Sequence, residues 1–284
     1  MEKNYWEKIA PSYETEIFDV LKNDKSGKIV KAILSFAGPK KSVIDIGCAV
    51  GKWMPVLAPV FGKVQAIDIS NNNLKIAAKK YPQYTNITYE RVDMSATTLQ
   101  SNANLKSTTN LKIKNYDSAI CINAILTSSL KKRNLFFKHM ASFIKKGGDL
   151  VLVVPSLESK LFSHIIANKF NVDNAKKDKA PTGKRAISQI RFIKDGVTDI
   201  DDVPTKHFLK EELELLLNLA GFTVEKIEKI NYKWSTRGVR ALLCMRKDYA
   251  SRRIAFVRNT DSLRFSWRSS SLIAAGSQFI SITA

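Results

Sequence analysis

A short apolar run that ends in a glycine-rich turn is the feature that most constrains the fold of this chain. The run Val43–Ile46 leads into the turn Gly47–Gly51, a helical stretch begins near Trp53, and a second apolar run ends at Asp68. This order of strand, tight turn, helix and strand is typical of a parallel βαβ unit. Glycines allow the sharp turn and let a ligand approach the backbone. An acid that ends the second strand can accept hydrogen bonds from ribose hydroxyls, so the unit predicts a nucleotide-like ligand.

Short apolar runs continue to alternate with helical stretches along the chain, which predicts an α/β fold with a mostly parallel sheet. The predicted strands lie near residues 42–46, 63–68, 86–92, 116–122, 148–154, 222–230 and 239–246. The predicted helices between them lie near residues 53–60, 71–80 and 130–144 and within 207–222. Seven strands are therefore expected by residue 246.

Two segments interrupt this alternation. Residues 4–36 carry apolar side chains at helical spacing and predict two helices ahead of the sheet. Residues 156–206 combine an apolar helix candidate, a lysine-rich loop and a hairpin candidate at Arg191–Val197. We therefore predict an N-terminal helical lid at residues 1–40 and a catalytic domain at residues 41–246, with a cap inserted at 156–206.

The end of the chain differs in composition from the rest. Up to Lys247 the basic residues are 34 lysines and 7 arginines, whereas the remaining 37 residues contain 5 arginines and no lysine. This segment is also rich in serine, and it follows a predicted sheet that is already complete. The expectation is an atypical tail at residues 247–284, outside the core fold.

The formal net charge of +20 raises the question of a nucleic-acid partner, because clustered lysines and arginines bind phosphates. The lysines are scattered and form no long basic run. Such a distribution favours a solvated, lysine-rich surface over a nucleic-acid-binding face. A nucleic-acid partner stays the alternative.

Several other classes of protein are not expected from this sequence. No stretch approaches the roughly 18 apolar residues that a membrane span requires, and the first residues are too polar for a signal peptide. The expectation is a cytoplasmic protein without a membrane partner. Cys48, Cys121 and Cys244 are widely separated and are expected to be reduced core residues. No Cys/His cluster has metal-ligand spacing, so no metal site is predicted.

The glycine-rich turn lacks the G-x-G-x-x-G spacing of a dinucleotide site. It reads Asp45-x-Gly47-x-Ala49-x-Gly51, which resembles the D-x-G-x-G-x-G motif of the class I S-adenosylmethionine-dependent methyltransferases, with alanine at the middle glycine. The resemblance extends over most of the chain before the tail. It implies S-adenosyl-L-methionine as cofactor and a Rossmann-like three-layer α/β/α sandwich with an antiparallel last strand.

The resemblance also implies roles for individual residues. Tyr13 would belong to the lid over the cofactor, Asp68 would hold the ribose, and Asp93 the adenine amine, with Met94 beside the ring. Asn123 ends the fourth strand, which faces the methionine portion. The residues expected to bind the cofactor are Tyr13, Asp45, Gly47, Cys48, Ala49, Gly51, Asp68, Ile69, Asp93, Met94 and Asn123.

The implied reaction is direct transfer of the methyl group from the sulfonium to an aligned nucleophile, for which a general base is optional. Of the three histidines, His139 lies in a predicted amphipathic helix and is expected to be structural. His164 and His207 could border a pocket. His207 is the candidate base, although it could equally fix the start of the following helix.

Three functions stay open at this point. The first is methylation of a small-molecule acceptor, the second is methylation of RNA or another macromolecule, and the third is a methyltransferase-like protein without catalysis. The sequence carries no Asn-Pro-Pro-Tyr-like motif, no Pro-Cys nucleophile and no G-x-S-x-G motif. The acceptor and the oligomeric state are not predicted.

Overall fold

The computed structural model describes residues 3–17, 19–97, 99, 116–161, 194–200, 203–230 and 252–259. Its helices are α1 (Lys3–Ile9), α2 (Tyr13–Glu16), α3 (Val20–Asn23), α4 (Lys28–Ser35), α5 (Met54–Leu57), α6 (Asn71–Lys80), α7 (Leu130–Phe143) and α8 (Lys210–Leu219). Its strands are β1 (Gly38–Ile46), β2 (Phe61–Asp68), β3 (Ile87–Arg91), β4 (Tyr116–Ile122), β5 (Ile144–Pro155), β6 (Val197–Ile200), β7 (Val203–Lys206), β8 (Phe222–Ile230) and β9 (Arg252–Asn259).

Seven of these strands form one sheet in the order β3-β2-β1-β4-β5-β9-β8. The first five pair in parallel, and β9 is antiparallel to both of its neighbours. The Rossmann-like fold with a mostly parallel sheet and an antiparallel last strand is therefore confirmed. Parallel strands bring their carboxyl ends to one edge, and this edge holds the residues that follow β1, β2 and β4.

Alternation of side chains along the central strands produces two separate cores, one on each face of the sheet. Ile44 and Ile46 of β1 pack on one face, which α7 and α8 cover. Val43 packs on the opposite face, which α4, α5 and α6 cover. Both faces of the parallel strands are thus buried, as all-parallel sheets require.

The structure places α4 in this helical layer and not in a lid. Ile29 and Ile33 of α4 are fully buried in the second core. Within the segment predicted as a lid, the residues that reach the carboxyl edge of the sheet are Trp6 of α1 and Tyr13 of α2, both ahead of α4.

The seventh strand corrects the prediction of a tail outside the fold. Residues 252–259 pair with β5 from Asp149 to Pro155 on one side and with β8 on the other. The prediction rested on the change in composition along the chain. A run of apolar residues can nevertheless form a strand where two neighbouring strands, here β5 and β8, each leave an edge free to pair. Ile254–Val257 is such a run. The strand predicted at 239–246 lies outside the described residues.

The hairpin predicted at Arg191–Val197 is displaced along the chain. Asp195 and Gly196 do form a tight turn, with φ of 54° and 65° and an isolated bridge between Lys194 and Val197. The regular ladder comes later, between β6 and β7. Residues 162–193, most of the predicted cap, lie outside the described part, as do residues 101–115.

Cys48 and Cys121 are buried in the two cores, as predicted for these cysteines, and neither forms a disulfide among the described residues. Cys244 lies outside the described residues. None of the helices in the described part of the chain is both long and apolar enough to cross a membrane.

Deletion of β9 should disrupt the fold, because β9 fills the gap between β5 and β8. We expect a chain that ends at Asp248 to lose its cooperative thermal transition by circular dichroism. A chain that ends at Thr260 keeps every described strand and is the matched control, with a cooperative transition expected. Equal, cooperative unfolding of both chains would show that β9 is dispensable.

Candidate functional site

A cleft opens at the carboxyl ends of the central strands, with about 760 Å³ of empty space including its open mouth. It lies beneath the lid residues of α1 and α2. The cleft is lined by Trp6, Tyr13, Gly47, Ala49, Ile67, Asp68, Ile69, Asn73, Val92, Asp93, Met94, Ser95, Ile122, Asn123, Ala124, Leu126, Thr127 and Phe136. The structure thus brings together eight of the twelve predicted site residues, namely Tyr13, Gly47, Ala49, Asp68, Ile69, Asp93, Met94 and Asn123.

The turn after β1 is held against the end of β2 by its own backbone. The N–H groups of Gly47 and Cys48 both donate to the carbonyl of Ile67, at 2.8 and 2.9 Å. Gly47 has φ of 77°, and a Cβ there would lie 2.4 Å from the Cβ of Ala124. Glycine is therefore required at position 47 by the backbone conformation and by the close approach of the loop after β4.

Ala49 adopts the left-handed conformation with φ of 48°. A residue with a Cβ loses about 1–2 kcal/mol in this region. The conformation directs the Ala49 N–H toward Asp68, to whose Oδ2 it donates at 2.9 Å. The hydrogen bond to the Asp68 carboxylate thus offsets the free-energy cost of alanine at this position of the glycine motif.

Gly51 and Cys48 belong to the turn but do not line the cleft. A Cβ at Gly51 would approach Ala77 and Tyr81, at 3.0 and 3.2 Å, so glycine here permits close packing of the turn on α6. The Cys48 side chain is buried on the same face, and burial raises the pKa of its thiol.

Asp68 ends β2 and is almost completely buried at the cleft wall. Its carboxylate accepts from Ser70 N at 2.8 Å and Asn73 Nδ2 at 3.3 Å on Oδ1, and from Ala49 N on Oδ2. Burial raises the pKa of Asp68, against the hydrogen bonds from Ser70 and Ala49 that lower it. A carboxylate can accept about four hydrogen bonds. One position on Oδ2 thus stays available for a ligand hydroxyl, and displacement of the long Asn73 contact would provide another.

Asp45 lies beneath the turn, outside the cleft lining. Burial, with a smaller contribution from the nearby Asp68, raises the pKa of Asp45 to about 8. Its Oδ2 has no hydrogen-bond partner among the described residues. Asp45 is therefore a neutral, buried carboxylic acid at pH 7, and the bonds that hold the turn come from Ile67 and Asp68 instead.

The loop after β3 forms the wall next to Asp68. Ser95 donates to Asp93 Oδ1 through its backbone N–H at 2.8 Å and its hydroxyl at 2.7 Å. Met94 packs its side chain into the core, and its carbonyl lies 3.0 Å from Nδ1 of His139 on α7. His139 is thus engaged with this loop, in agreement with the structural role predicted for it.

The loop after β4 forms the opposite wall. Asn123 has φ of 58°, a conformation that asparagine tolerates better than most residues, and its N–H donates to Val153 O at 2.9 Å. Above this wall the rings of Trp6 and Tyr13 lie with centroids 6.4 Å apart, and both face the cleft. Aromatic lid residues and the Asn123 loop thus border the same space.

His207 is placed differently from its prediction as a base. It does not line the cleft and is fully buried, with Nδ1 3.1 Å from Thr205 O and 3.3 Å from Thr198 Oγ1. Its backbone N–H donates to Gly196 O, in the turn that precedes β6. This geometry supports the structural alternative at the entrance to α8. His164 lies outside the described residues.

Sequence reasoning missed several residues of the cleft. Asn73 is one turn inside α6, and its amide connects that helix to Asp68. Leu126, Thr127 and Phe136 come after the predicted fourth strand, where the chain carries no recognisable motif. The sole available signal was their position beyond the carboxyl end of a central strand.

Arg133 fixes the loop that carries Leu126 and Thr127. Its guanidinium, only 1% exposed, donates to the carbonyls of Thr127 and Ser128 at 3.1 and 2.7 Å and pairs with Asp195. On the other side, Lys206 N donates to Leu126 O at 3.0 Å. The loop is thus clamped between α7 and the β6–β7 hairpin.

Comparison with known proteins is consistent with this geometry. A family model described as a methyltransferase domain matches residues 20–227. No curated protein is significantly similar to the chain.

Three solved structures illustrate the likeness of the fold. DhpI in a complex with SAM and HEP has 14% identity and a TM-score of 0.54, covering 90% of this chain and 94% of that one. A SAM-dependent methyltransferase of Methanosarcina mazei has 16% identity and a TM-score of 0.53, covering 80% and 96%. Magnesium protoporphyrin IX methyltransferase of Synechocystis, with bound SAH, has 15% identity and a TM-score of 0.53, covering 90% and 97%. At these identities the likeness shows a shared fold.

Replacement of Asp45 should change how stability depends on pH. The folded chain holds the Asp45 proton up to a pKa of about 8, whereas the unfolded chain releases it near its ordinary value of 3.8. The contribution of Asp45 to stability is therefore complete below pH 4 and is lost as the pH rises to 8. As the pH rises over this range, the free energy of unfolding of Asp45→Asn should increase relative to that of the unsubstituted protein. The total change should be on the order of a few kcal/mol.

Urea unfolding at pH 5, 7 and 8.5 measures this difference. Asp117→Asn is the control. Burial raises the pKa of Asp117, but hydrogen bonds from Lys145 and Ser42 outweigh burial and hold that pKa below its ordinary value. Its effect should therefore be constant above pH 5. Parallel pH profiles for Asp45→Asn and the unsubstituted protein would contradict the neutral state of Asp45.

Arg133→Met should destabilise the loop after β4. The substitution removes a charged donor from the partly buried carbonyls of Thr127 and Ser128, and a hydrogen bond to a charged group is worth about 1.5–3 kcal/mol. We expect the free energy of unfolding to fall by about 2–4 kcal/mol in a urea titration. Lys131→Met, at an exposed position two residues away, should change it by less than about 0.5 kcal/mol. Equal effects of the two substitutions would contradict the clamp.

Proposed function

We propose that this chain transfers a methyl group to a small-molecule acceptor. The chain belongs to the methyltransferase-domain family and is an S-adenosylmethionine-dependent methyltransferase. The transfer would be a direct displacement at the methyl carbon. The observation that carries the proposal is the chemistry of the cleft wall, which differs sharply from that of the chain as a whole.

The chain has a formal net charge of +20, yet no lysine or arginine lines the cleft in the described part of the chain. The charged residues of this lining are Asp68 and Asp93. Near Asn123 the lining is apolar or neutral, with Ile122, Ala124, Leu126, Thr127 and Phe136. A site for RNA would instead need cations along the path of the phosphates. The lining supports a small acceptor with a neutral or apolar body.

The residues present fit S-adenosylmethionine. The Gly47–Ala49 turn leaves backbone exposed at the cleft, Asp68 has a carboxylate oxygen available for a ribose hydroxyl, and Asp93 and Met94 form the wall beyond it. We assign the ribose to Asp68, the adenine amine to Asp93, and the methionine end to the Asn123 loop. The cofactor supplies an activated methyl group on its sulfonium.

The task of the protein in such a reaction is alignment. Holding the acceptor in line with the methyl group can supply about 7–11 kcal/mol of the barrier. Trp6 and Tyr13 lie where they would cover the reacting atoms and exclude water, and the Asn123 and Thr127 side chains are neutral polar groups that could orient an acceptor. His207 is not part of this proposal, because its ring is buried away from the cleft.

The net charge of +20 favours one competing function, methylation of RNA. Measurement of methyl incorporation from radiolabelled cofactor separates the two. The assay would offer total cellular RNA in one arm and a fractionated small-molecule extract in the other. Label that enters only RNA, with affinity that falls steeply with salt, would overturn the small-molecule proposal.

Asp68→Ala should abolish cofactor binding. Each hydrogen bond to an ionised group is worth about 1.5–3 kcal/mol, so loss of two ribose contacts predicts more than about 100-fold weaker binding. Calorimetry with S-adenosylhomocysteine is the measurement. Asp68→Asn, which keeps one acceptor oxygen, should lose less.

Asp117→Asn is the control, since Asp117 lies at the amino end of β4, on the opposite edge of the sheet. It should bind like the unsubstituted protein. Full affinity in folded Asp68→Ala would contradict the ribose assignment. If the unsubstituted protein does not bind S-adenosylhomocysteine, the result would favour a methyltransferase-like protein without catalysis.

A further inference from the structure

Glu7 of the lid helix α1 contacts the amino end of α6. Its Oε1 accepts from Asn71 N at 3.0 Å, and its Oε2 accepts from Asn72 N and from the Ser70 hydroxyl, both at 3.0 Å. The side-chain amide of Asn72 donates back to the Glu7 carbonyl at 3.3 Å. Four hydrogen bonds thus join two segments more than 60 positions apart in the chain.

Glu7 completes the capping of α6. The first N–H groups of a helix have no partner within the helix. The Ser70 side chain accepts from Asn73 N at 3.1 Å, and the Glu7 carboxylate accepts from the N–H groups of the two preceding residues, Asn71 and Asn72. A carboxylate suits this position because the amino end of a helix carries partial positive charge. Ser70 is fully buried, whereas the two hydrogen bonds between Asn72 and Glu7 are exposed to solvent.

The same residues hold Asp68. Ser70 N and Asn73 Nδ2 both donate to Asp68 Oδ1, while Ser70 Oγ binds Glu7 and Asn73 N binds Ser70 Oγ. Ser70 and Asn73 therefore connect the Glu7 carboxylate to the Asp68 carboxylate through side chains that are less than 2% exposed. A shift of Glu7 would change the donors that orient Asp68.

Glu7 lies on the same helix as a residue that covers the cleft. Trp6 precedes it on α1 and faces the cleft together with Tyr13. Two further ion pairs join the N-terminal segment to the core, Glu14 with Lys80 and Asp19 with Lys52. Neither of these pairs contacts Asp68 or its partners in the described residues.

We propose that Glu7 is a positioning residue that couples closure of the lid to the binding of the cofactor ribose at Asp68. The inference rests on the proposed cofactor geometry. With Glu7 in place, the closed lid orders Ser70 and Asn73, and these hold Asp68 ready for the ribose. Linkage is reciprocal, so ligand at Asp68 favours the closed position of α1.

Calorimetry with S-adenosylhomocysteine tests the coupling. Glu7→Gln keeps the size of the side chain but removes its charge and one of its two acceptor oxygens. We expect roughly tenfold weaker binding, the size of effect that loss of a helix cap produces. Glu14→Gln is the matched control, because its pair with Lys80 is exposed, and it should change affinity by less than about twofold.

Hydrogen exchange distinguishes coupling from simple loss of stability. In the unsubstituted protein, S-adenosylhomocysteine should slow exchange of the amides of α1 as well as those of Asn71 and Asn72. In Glu7→Gln at saturating ligand, the slowing at α1 should be lost while residues 45–51 stay protected. The Glu14→Gln protein should behave like the unsubstituted protein.

The outcomes separate this inference from the proposed function. If the unsubstituted protein does not bind S-adenosylhomocysteine, the cofactor geometry itself is wrong. If it binds, and Glu7→Gln shows the same affinity and the same protection of α1, Glu7 has no coupling role. Weaker binding with α1 still protected by ligand would also overturn the coupling, since the lid would then close without Glu7.

Discussion

The buried carboxylate of Asp68 organises the cofactor edge of this protein. It receives the N–H of Ala49 from the turn after β1, the N–H of Ser70 from the start of α6, and the amide of Asn73 from within that helix. Each donor belongs to an element that forms the cleft. Because a buried carboxylate is costly without such donors, the turn and α6 are held in one arrangement around the end of β2, which carries Asp68.

Two carboxyl groups close together at this edge have different surroundings. Burial raises the pKa of Asp68, against hydrogen bonds from Ser70, Ala49 and Asn73 that lower it, whereas Asp45 is buried without a partner for Oδ2 and holds its proton up to a pKa of about 8. The carboxyl groups that line the cleft are those of Asp68 and Asp93, and Asp45 lies outside the lining. Absence of lysine and arginine from the described lining leaves these two carboxyl groups without a basic neighbour in the cleft wall, which suits a cationic, sulfonium-bearing ligand.

The acceptor side of the cleft depends on contacts made across the fold. The loop after β4 is held by Arg133 from α7 and by the backbone of Lys206 at the end of the hairpin. Lys206 is itself buried, pairs with Glu212 and lies 5.0 Å from the centre of the Phe208 ring. Buried cations of this kind are stable only with their partners in place, so the shape of the acceptor side follows from the packing of the hairpin and α8.

Local patterns in the sequence were sufficient for the five parallel strands, for the helices α5, α6 and α7 between them, and for Asp68, Asp93 and Asn123 at one edge. The physical reason is that side-chain periodicity is local, and parallel strands necessarily bring their carboxyl ends together. The placement of residues 252–259 inside the sheet, the burial of His207 away from the cleft, and the contact of Glu7 with α6 came only from the tertiary structure. Each depends on partners distant along the chain, and no periodicity or composition records which distant backbone edge, carbonyl or helix end a residue will meet.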